Sequence, residues 1–106
     1  MSVMVTIHIK ADADKLEAWA SANRETMKGI LGQAEGHGLI AHRFYGDGKG
    51  GVMVLDEWPN AESFQTFFQE SMNEIGPLFD AAGAQGEPEV NFWHELETHD
   101  RYGWGA

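Results

Sequence analysis

Hydrophobic positions along this chain recur with two periods, and both periods appear in the same order twice. A period of two marks strands, and a period of about 3.6 marks helices. Each half of the chain reads as strand, helix, strand: residues 3–9, 14–31 and 39–45 in the first, and residues 52–58, 60–82 and 89–97 in the second. This repeat predicts an α+β fold, a ferredoxin-like β-α-β-β-α-β subunit with an antiparallel sheet and both helices on one face.

Signals for helix ends support the two helical segments. Asp14 lies three residues before Glu17, which resembles a capping box, and Asn60 follows a proline as a good N-cap. The Gly-Pro pair at residues 76–77 predicts a kink or a break in the second helix, because proline removes one backbone hydrogen bond and clashes with the preceding turn. Gly83 is a natural residue to end that helix.

Alternation along the strands assigns side chains to faces. In the third strand, Asp56 and Trp58 share a face with the valines at 52 and 54. Overlaying the two repeats at Gly36 and Gly86 predicts one shared face for six side chains: Ile40, His42, Phe44, Val90, Phe92 and His94. Both faces of the sheet carry large apolar groups, whereas a two-layer domain needs only one such face. We therefore expect the second face to meet an identical sheet in a homodimer.

Length and composition limit the architecture. The 106 residues suffice for one domain, which we assign to residues 1–98, followed by an aperiodic tail at residues 99–106. Trp104 in that tail is a candidate contact to a partner subunit, and the alternative is a frayed end. The absence of cysteine excludes disulfides, iron–sulfur clusters and thiolate zinc sites.

Charge excludes two classes of partner. Seventeen acidic and seven basic residues give a formal net charge of -10, which repels phosphate backbones and anionic lipid. We therefore expect neither nucleic-acid nor membrane binding. No apolar run approaches the roughly 20 residues that span a bilayer, and the first residues do not resemble a signal peptide, so a cytoplasmic location is expected.

Residues 54–64, Val-Leu-Asp-Glu-Trp-Pro-Asn-Ala-Glu-Ser-Phe, show a strand ending in Glu-Trp, a short polar turn and an Ala-Glu-x-Phe helix start. This segment resembles the antibiotic biosynthesis monooxygenase-like family of the dimeric α+β barrel superfamily. The resemblance implies a cleft between sheet and helices in each subunit. It also implies oxidation of polycyclic phenols or anthrones by oxygen without a bound cofactor, or degradation of heme.

Heme degradation in that family relies on three side chains: an asparagine on strand one, a tryptophan on strand three and a histidine on helix two. Trp58 matches the tryptophan. Phe67 or Phe68 stands in place of the histidine, and the asparagine's place falls among Val3, Val5 and Ile7. These departures argue against heme degradation, and we expect no cofactor.

The predicted cleft suits a flat hydrophobic molecule, such as an aromatic, polyketide- or anthrone-like metabolite. Five aromatic side chains are the candidate substrate contacts: Trp58, Phe44, Phe64, Phe68 and Phe92. His42, His94 and Asp56 are the candidate catalytic groups, because imidazole and a half-buried carboxylate can both accept a proton from an activated C–H group. The same three groups could bind a metal only if their strands brought them together, and no local spacing supports a metal site.

Two functions remain open at this stage. The first is a small cofactor-independent enzyme, either monooxygenase-like or an isomerase or cyclase. The second is a non-catalytic module of the same fold that binds a ligand or assembles with partners. The paired histidines and Asp56 favour the enzyme, whereas the phenylalanine-rich second helix favours the module.

Overall fold

A computed structural model describes residues 1–104 as a four-stranded antiparallel sheet covered by helices. The strands lie in the order β2-β3-β1-β4. The elements in chain order are β1 (Val3–Lys10), α1 (Ala13–Ala22), α2 (Arg24–Gly36), β2 (Ala41–Gly46), β3 (Gly51–Trp58), α3 (Ala61–Glu70), α4 (Met72–Ala81) and β4 (Gln85–Trp93). The predicted ferredoxin-like α+β fold is confirmed.

Each predicted helix is two consecutive helices. Asn23 leaves helical geometry between α1 and α2, and its side-chain amide donates to the carbonyl of Trp19 at 2.9 Å. Ser71 separates α3 from α4, where its buried hydroxyl donates to Oε1 of Gln33 at 2.9 Å. Both breaks fall at short polar residues whose side chains find partners there.

The sequence predicted a kink or a break at residues 76–77 of the second helical segment, and this position of the break was wrong. The segment divides at Ser71, and Pro77 lies inside α4. Proline at this position removes the hydrogen bond that the carbonyl of Asn73 would accept. Pro77 and Asn73 are both exposed, so water can satisfy that carbonyl, and the helix continues through the proline.

The helix ends agree with the sequence signals except at the first cap. Asn60 accepts a hydrogen bond from the Ser63 amide at 2.8 Å, as an N-cap should. The first helix is capped by Asp12 instead of Asp14, because the amide of Asp12 bonds to the carbonyl of Ala82 and holds this residue extended before the first turn.

The core lies between one face of the sheet and all four helices. Alternate residues of β1 and β3 face it, and Asp56 lies opposite Val5 in the register of these strands. The helices contribute Leu16, Ala34, Phe64, Phe67, Ile75, Leu78 and Phe79 to the same buried cluster. The second face of the sheet is covered by none of the four helices between residues 1 and 104. None of the helices within residues 1–104 is long and apolar enough to cross a membrane.

The uncovered face of the sheet, termed the open face below, carries both apolar and polar side chains. Its large apolar side chains are Met4, Tyr45, Met53, Leu55 and Trp93, and its charged or polar ones are Thr6, His8, Lys10, Arg43, Glu57, Glu89 and Asn91. The indole of Trp93 covers Thr6 and donates to its hydroxyl at 2.8 Å.

The chain after β4 forms no helix or strand up to residue 104. Leu96, Tyr102 and Trp104 are exposed there. The last two residues of the predicted tail, 105 and 106, lie outside the described part. The predicted contact of Trp104 with a partner subunit stays a prediction.

Replacing Gly83 with alanine should lower the stability of the fold, whereas replacing Gly29 should raise it. Gly83 ends α4 at φ +68, a left-handed conformation that alanine adopts at a cost of about 1–2 kcal/mol. Gly29 lies within α2, where an added Cβ would meet no neighbouring atom within 4 Å, so Gly29→Ala should stabilise the fold by about 0.5–1 kcal/mol. Urea unfolding of both variants measures this difference, and destabilisation by Gly29→Ala would contradict the assignment of an open helical position.

Candidate functional site

A cavity of about 250 Å³ lies between the sheet and helices α2, α3 and α4. Aliphatic and aromatic side chains form almost all of its wall, and the polar contributions come from Lys28, His42 and Asp56. The apolar contributions come from Ile7, Met27, Ile30, Leu31, Ala34, Leu39, Phe44, Val54, Phe64, Phe67, Phe68, Ile75, Leu78 and Phe79. An apolar cavity with a few polar groups is the usual form of a small-molecule site.

A chain of hydrogen bonds joins two residues of this wall, His42 and Asp56, to Trp58 behind it. Strand pairing places His42 directly opposite Asp56, and the period of two places Trp58 on the same face as Asp56. Nδ1 of His42 lies 2.7 Å from Oδ1 of Asp56, and the indole N–H of Trp58 donates to Oδ2 at 3.1 Å. Both oxygens of the buried carboxylate are therefore bound.

This arrangement selects one tautomer of His42. A carboxylate only accepts hydrogen bonds, so the proton of a neutral His42 sits on Nδ1 and leaves a lone pair on Nε2. The His42 side chain is 32% exposed and its ring packs edge-on against Phe44, with centroids 5.1 Å apart. The imidazole is thus fixed in orientation while it remains accessible from the cavity.

Trp58, Phe64, Phe68 and Phe92 form one packed group, and two of them, Phe64 and Phe68, line the cavity together with Phe44. Phe64 and Phe68 stack at 5.3 Å and belong to the lining. Trp58 is fully buried behind Phe64, and Phe92 meets the edge of Phe64 at 5.9 Å. Trp58 and Phe92 therefore support the wall from behind and do not line the cavity.

His94 lies apart from this group. It follows the end of β4, is exposed, and does not line the cavity. The strand order puts β4 three strand spacings from β2, roughly 14 Å, so His94 and His42 occupy opposite edges of the sheet. The overlay of the two repeats predicted a shared face, and a shared face does not imply proximity.

A metal site at His42, His94 and Asp56 would need these side chains to converge. Within residues 1–104, no three His, Cys, Asp or Glu side chains come together in a way that could hold a metal ion.

Comparison with known proteins identifies the fold. No protein-family model and no curated protein sequence matches this chain. Among solved structures, an antibiotic biosynthesis monooxygenase aligns with a TM-score of 0.64 at 15% identity, covering 90% of this chain and 99% of its own. The chain has the antibiotic biosynthesis monooxygenase fold.

Two further structures share this monooxygenase fold. A conserved protein from Methanosarcina mazei Go1 has a TM-score of 0.65 at 17% identity and covers 91% of this chain and 94% of its own. A dimeric ferredoxin-like protein from an uncultured marine organism has a TM-score of 0.65 at 13% identity, covering 95% and 100%. Identities this low establish the fold alone.

Sequence reasoning missed the part of the cavity that α2 and α4 supply. Met27, Ile30 and Leu31 belong to the apolar stripe of the first predicted helix, and the sequence pattern assigned neither them nor Lys28 to the cleft. No local pattern distinguishes these residues from core residues, because an apolar helical stripe has the same period whether it fills a core or lines a cavity.

Two polar contacts hold the C-terminal end of α2 over the cavity. His37 pairs with Glu70 at 2.7 Å, and Gln33 accepts the hydroxyl of Ser71 at 2.9 Å. Both contacts join α2 to the junction between α3 and α4. The N-terminal part of α2 contributes the exposed cavity residues Lys28 and Leu31.

Replacing the buried indole should cost stability through Asp56. Trp58→Phe removes the donor to Oδ2 and leaves that buried oxygen unpaired, a loss of about 1–3 kcal/mol beyond the missing volume. The same exchange at the partly buried Trp19 is the control and should cost about 1 kcal/mol. Chemical denaturation measures both variants. Equal losses would show that the hydrogen bond to Asp56 contributes nothing specific.

Proposed function

We propose that this protein is a small cofactor-independent monooxygenase that acts on a hydrophobic aromatic, polyketide- or anthrone-like molecule. The observation that carries the proposal is the His42 imidazole, held through Nδ1 by the buried Asp56 at the wall of an apolar cavity. The monooxygenase fold supports the proposal but does not establish the chemistry.

The aromatic body of the substrate packs against Phe44, Phe64 and Phe68. Nε2 of His42 then removes a proton from an activated CH₂ group, as a positioned general base does. The carbanion adds to oxygen, and protonation gives a hydroperoxide. Loss of water from this hydroperoxide leaves a carbonyl, so that one CH₂ group and one O₂ become one C=O and one water.

Asp56 and Trp58 are positioning residues in this scheme. The carboxylate of Asp56 stabilises the imidazolium that forms when His42 accepts the proton, and the indole N–H keeps the carboxylate in place. The apolar lining of the cavity strengthens these interactions, because its side chains lower the local dielectric constant.

Exchange of His42 is the direct test of this mechanism. With an anthrone as probe, His42→Gln should lower kcat at least about 100-fold, because general-base catalysis contributes roughly 10²–10⁴. His99→Gln, in the tail, is the matched control and should leave turnover unchanged. Oxygen uptake and quinone absorbance measure the rates.

The same assay examines His94, the remaining predicted catalytic histidine. His94→Gln should behave like the His99 control, because the structure does not bring His94 to the cavity. Turnover that survives in His42→Gln would refute the proton-acceptor role.

A non-catalytic binding module is the second candidate. Both oxygens of Asp56 already form hydrogen bonds with His42 and Trp58, so few polar groups remain to react with a ligand. This observation favours the binding module. This candidate predicts that aromatic molecules bind with no oxygen uptake and that His42→Gln leaves turnover at the same background rate.

The open face supports a homodimer. Leu55 and Met53 lie on β3 in this face, with Arg43 and Tyr45 as their neighbours on β2, and apolar side chains of this size on an open sheet face are normally covered. The marine protein of the same fold is described as dimeric. We infer that two copies of this chain pack through their open faces.

The proposed homodimer can be tested by introducing an arginine on either side of the sheet. Leu55→Arg should convert the dimer to a monomer, because the guanidinium would be buried unpaired at the interface. Met72→Arg adds the same charge on the helical side and should leave the dimer intact. Native mass spectrometry measures the oligomeric state, and a monomeric parent protein would contradict the proposed interface.

A further inference from the structure

Two side chains supply the polar groups available to a ligand in the cavity. Asp56 contributes little, because His42 and Trp58 occupy its two oxygens. Among the side chains that line the cavity in the described part of the chain, this leaves Nε2 of His42 and the ammonium group of Lys28. The rest of the lining is apolar, so these two groups decide which polar features of a ligand are recognised.

Lys28 lies at the rim of the cavity. It belongs to α2, whose neighbouring residues Met27 and Leu31 also line the cavity, and its side chain is 74% exposed. A lysine in this setting lays its apolar stem along the wall and keeps its charge in water. The ammonium group therefore meets the part of a ligand that remains at the opening.

The ammonium group of Lys28 is weakly engaged within the chain. Its carboxylate neighbour, Glu25, lies 3.8 Å away, and that side chain is 92% exposed. Exposed pairs of this kind contribute little, because water competes for both charges. A ligand anion can therefore approach Lys28 without disrupting a strong ion pair.

The acidic surface of this protein makes the positive charge of Lys28 important for binding an anion. The chain carries a formal net charge of -10, which disfavours the approach of an anion. All seven Lys and Arg residues fall within the described residues, and Lys28 is the one that lines the cavity. An anionic ligand would gain local attraction from Lys28 that the rest of the surface does not provide.

We propose that the cavity selects aromatic molecules that carry an anionic oxygen, a carboxylate or a phenolate. The aromatic body lies among the phenylalanines, and the anionic oxygen meets Lys28 at the rim. Lys28 is thus a specificity-determining residue, and His42 faces the ligand body. This inference rests on the proposed use of the cavity as a ligand site, but not on the oxygenation step.

A pair of matched ligands separates charge from shape. The probes are 2-naphthoate and its uncharged methyl ester, with binding measured by isothermal titration calorimetry. Lys28→Met keeps an apolar stem and removes the charge, so it should weaken naphthoate binding by about fivefold, the upper range for an exposed ion pair. Ester binding should stay within about twofold of the parent protein.

Two further variants control this comparison. Lys15→Met removes the same charge from α1, outside the cavity, and should leave the preference for naphthoate over ester unchanged. Lys28→Arg keeps the charge and should restore that preference. At an ionic strength of about 1 M, where the Debye length is about 3 Å, the parent protein should bind naphthoate more weakly and the ester unchanged.

Each contrary result has a distinct meaning. If Lys28→Met weakened the binding of naphthoate and of the ester equally, only the apolar stem of Lys28 would contribute. That result would overturn the selection of anionic ligands and leave the proposed function intact. If Lys15→Met lowered the preference for naphthoate over the ester as much as Lys28→Met did, the effect would come from net charge alone. That result would also overturn the inference. Failure of both probes to bind the parent protein would overturn the use of the cavity as a ligand site, and with it the proposed function.

Discussion

The buried carboxylate of Asp56 imposes the constraint on which this structure depends. A carboxylate removed from water is costly unless its oxygens receive hydrogen bonds. Here the donors come from two directions: His42 across the strand pair and Trp58 two residues along the same strand. Each donor is thereby held in one orientation. The requirement of one buried group thus links the register of β2 on β3 to the positions of an imidazole and an indole.

That constraint extends into the helical layer. The indole of Trp58, fixed by Asp56, packs against Phe64 and Phe67 of α3 with ring centroids 5.8 and 5.4 Å away. Phe64 in turn contacts Phe68 and Phe92. The aromatic wall of the cavity is therefore continuous with the hydrogen-bonded chain behind it. A site built on strands and packed rings in this way is pre-organised for a ligand.

The cavity owes its existence to the incomplete cover that α2 provides. Ala34 is the buried residue of this helix, and its other cavity residues, Met27, Lys28, Ile30 and Leu31, are partly or largely exposed. The His37–Glu70 and Gln33–Ser71 contacts hold its C-terminal end against the α3–α4 junction. The cavity residues of α3 and α4, by contrast, are mostly buried. On its other side the same sheet presents large apolar side chains among polar ones, and we infer self-association through that face.

The sequence by itself determined the order of elements, the faces of the strands and the fold class, because periodicity and helix-end signals are local. It also predicted one shared face for six side chains, and the strand register confirms this for the four that lie within β2 and β4, namely His42, Phe44, Val90 and Phe92. Ile40 and His94 lie outside the two strands. Only the tertiary structure decided which of these residues meet. The order β2-β3-β1-β4 brings His42 to Asp56 and leaves His94 at the opposite edge. The break at Ser71 and the cap at Asp12 likewise depend on distant partners, Gln33 and Ala82, which no local pattern can specify.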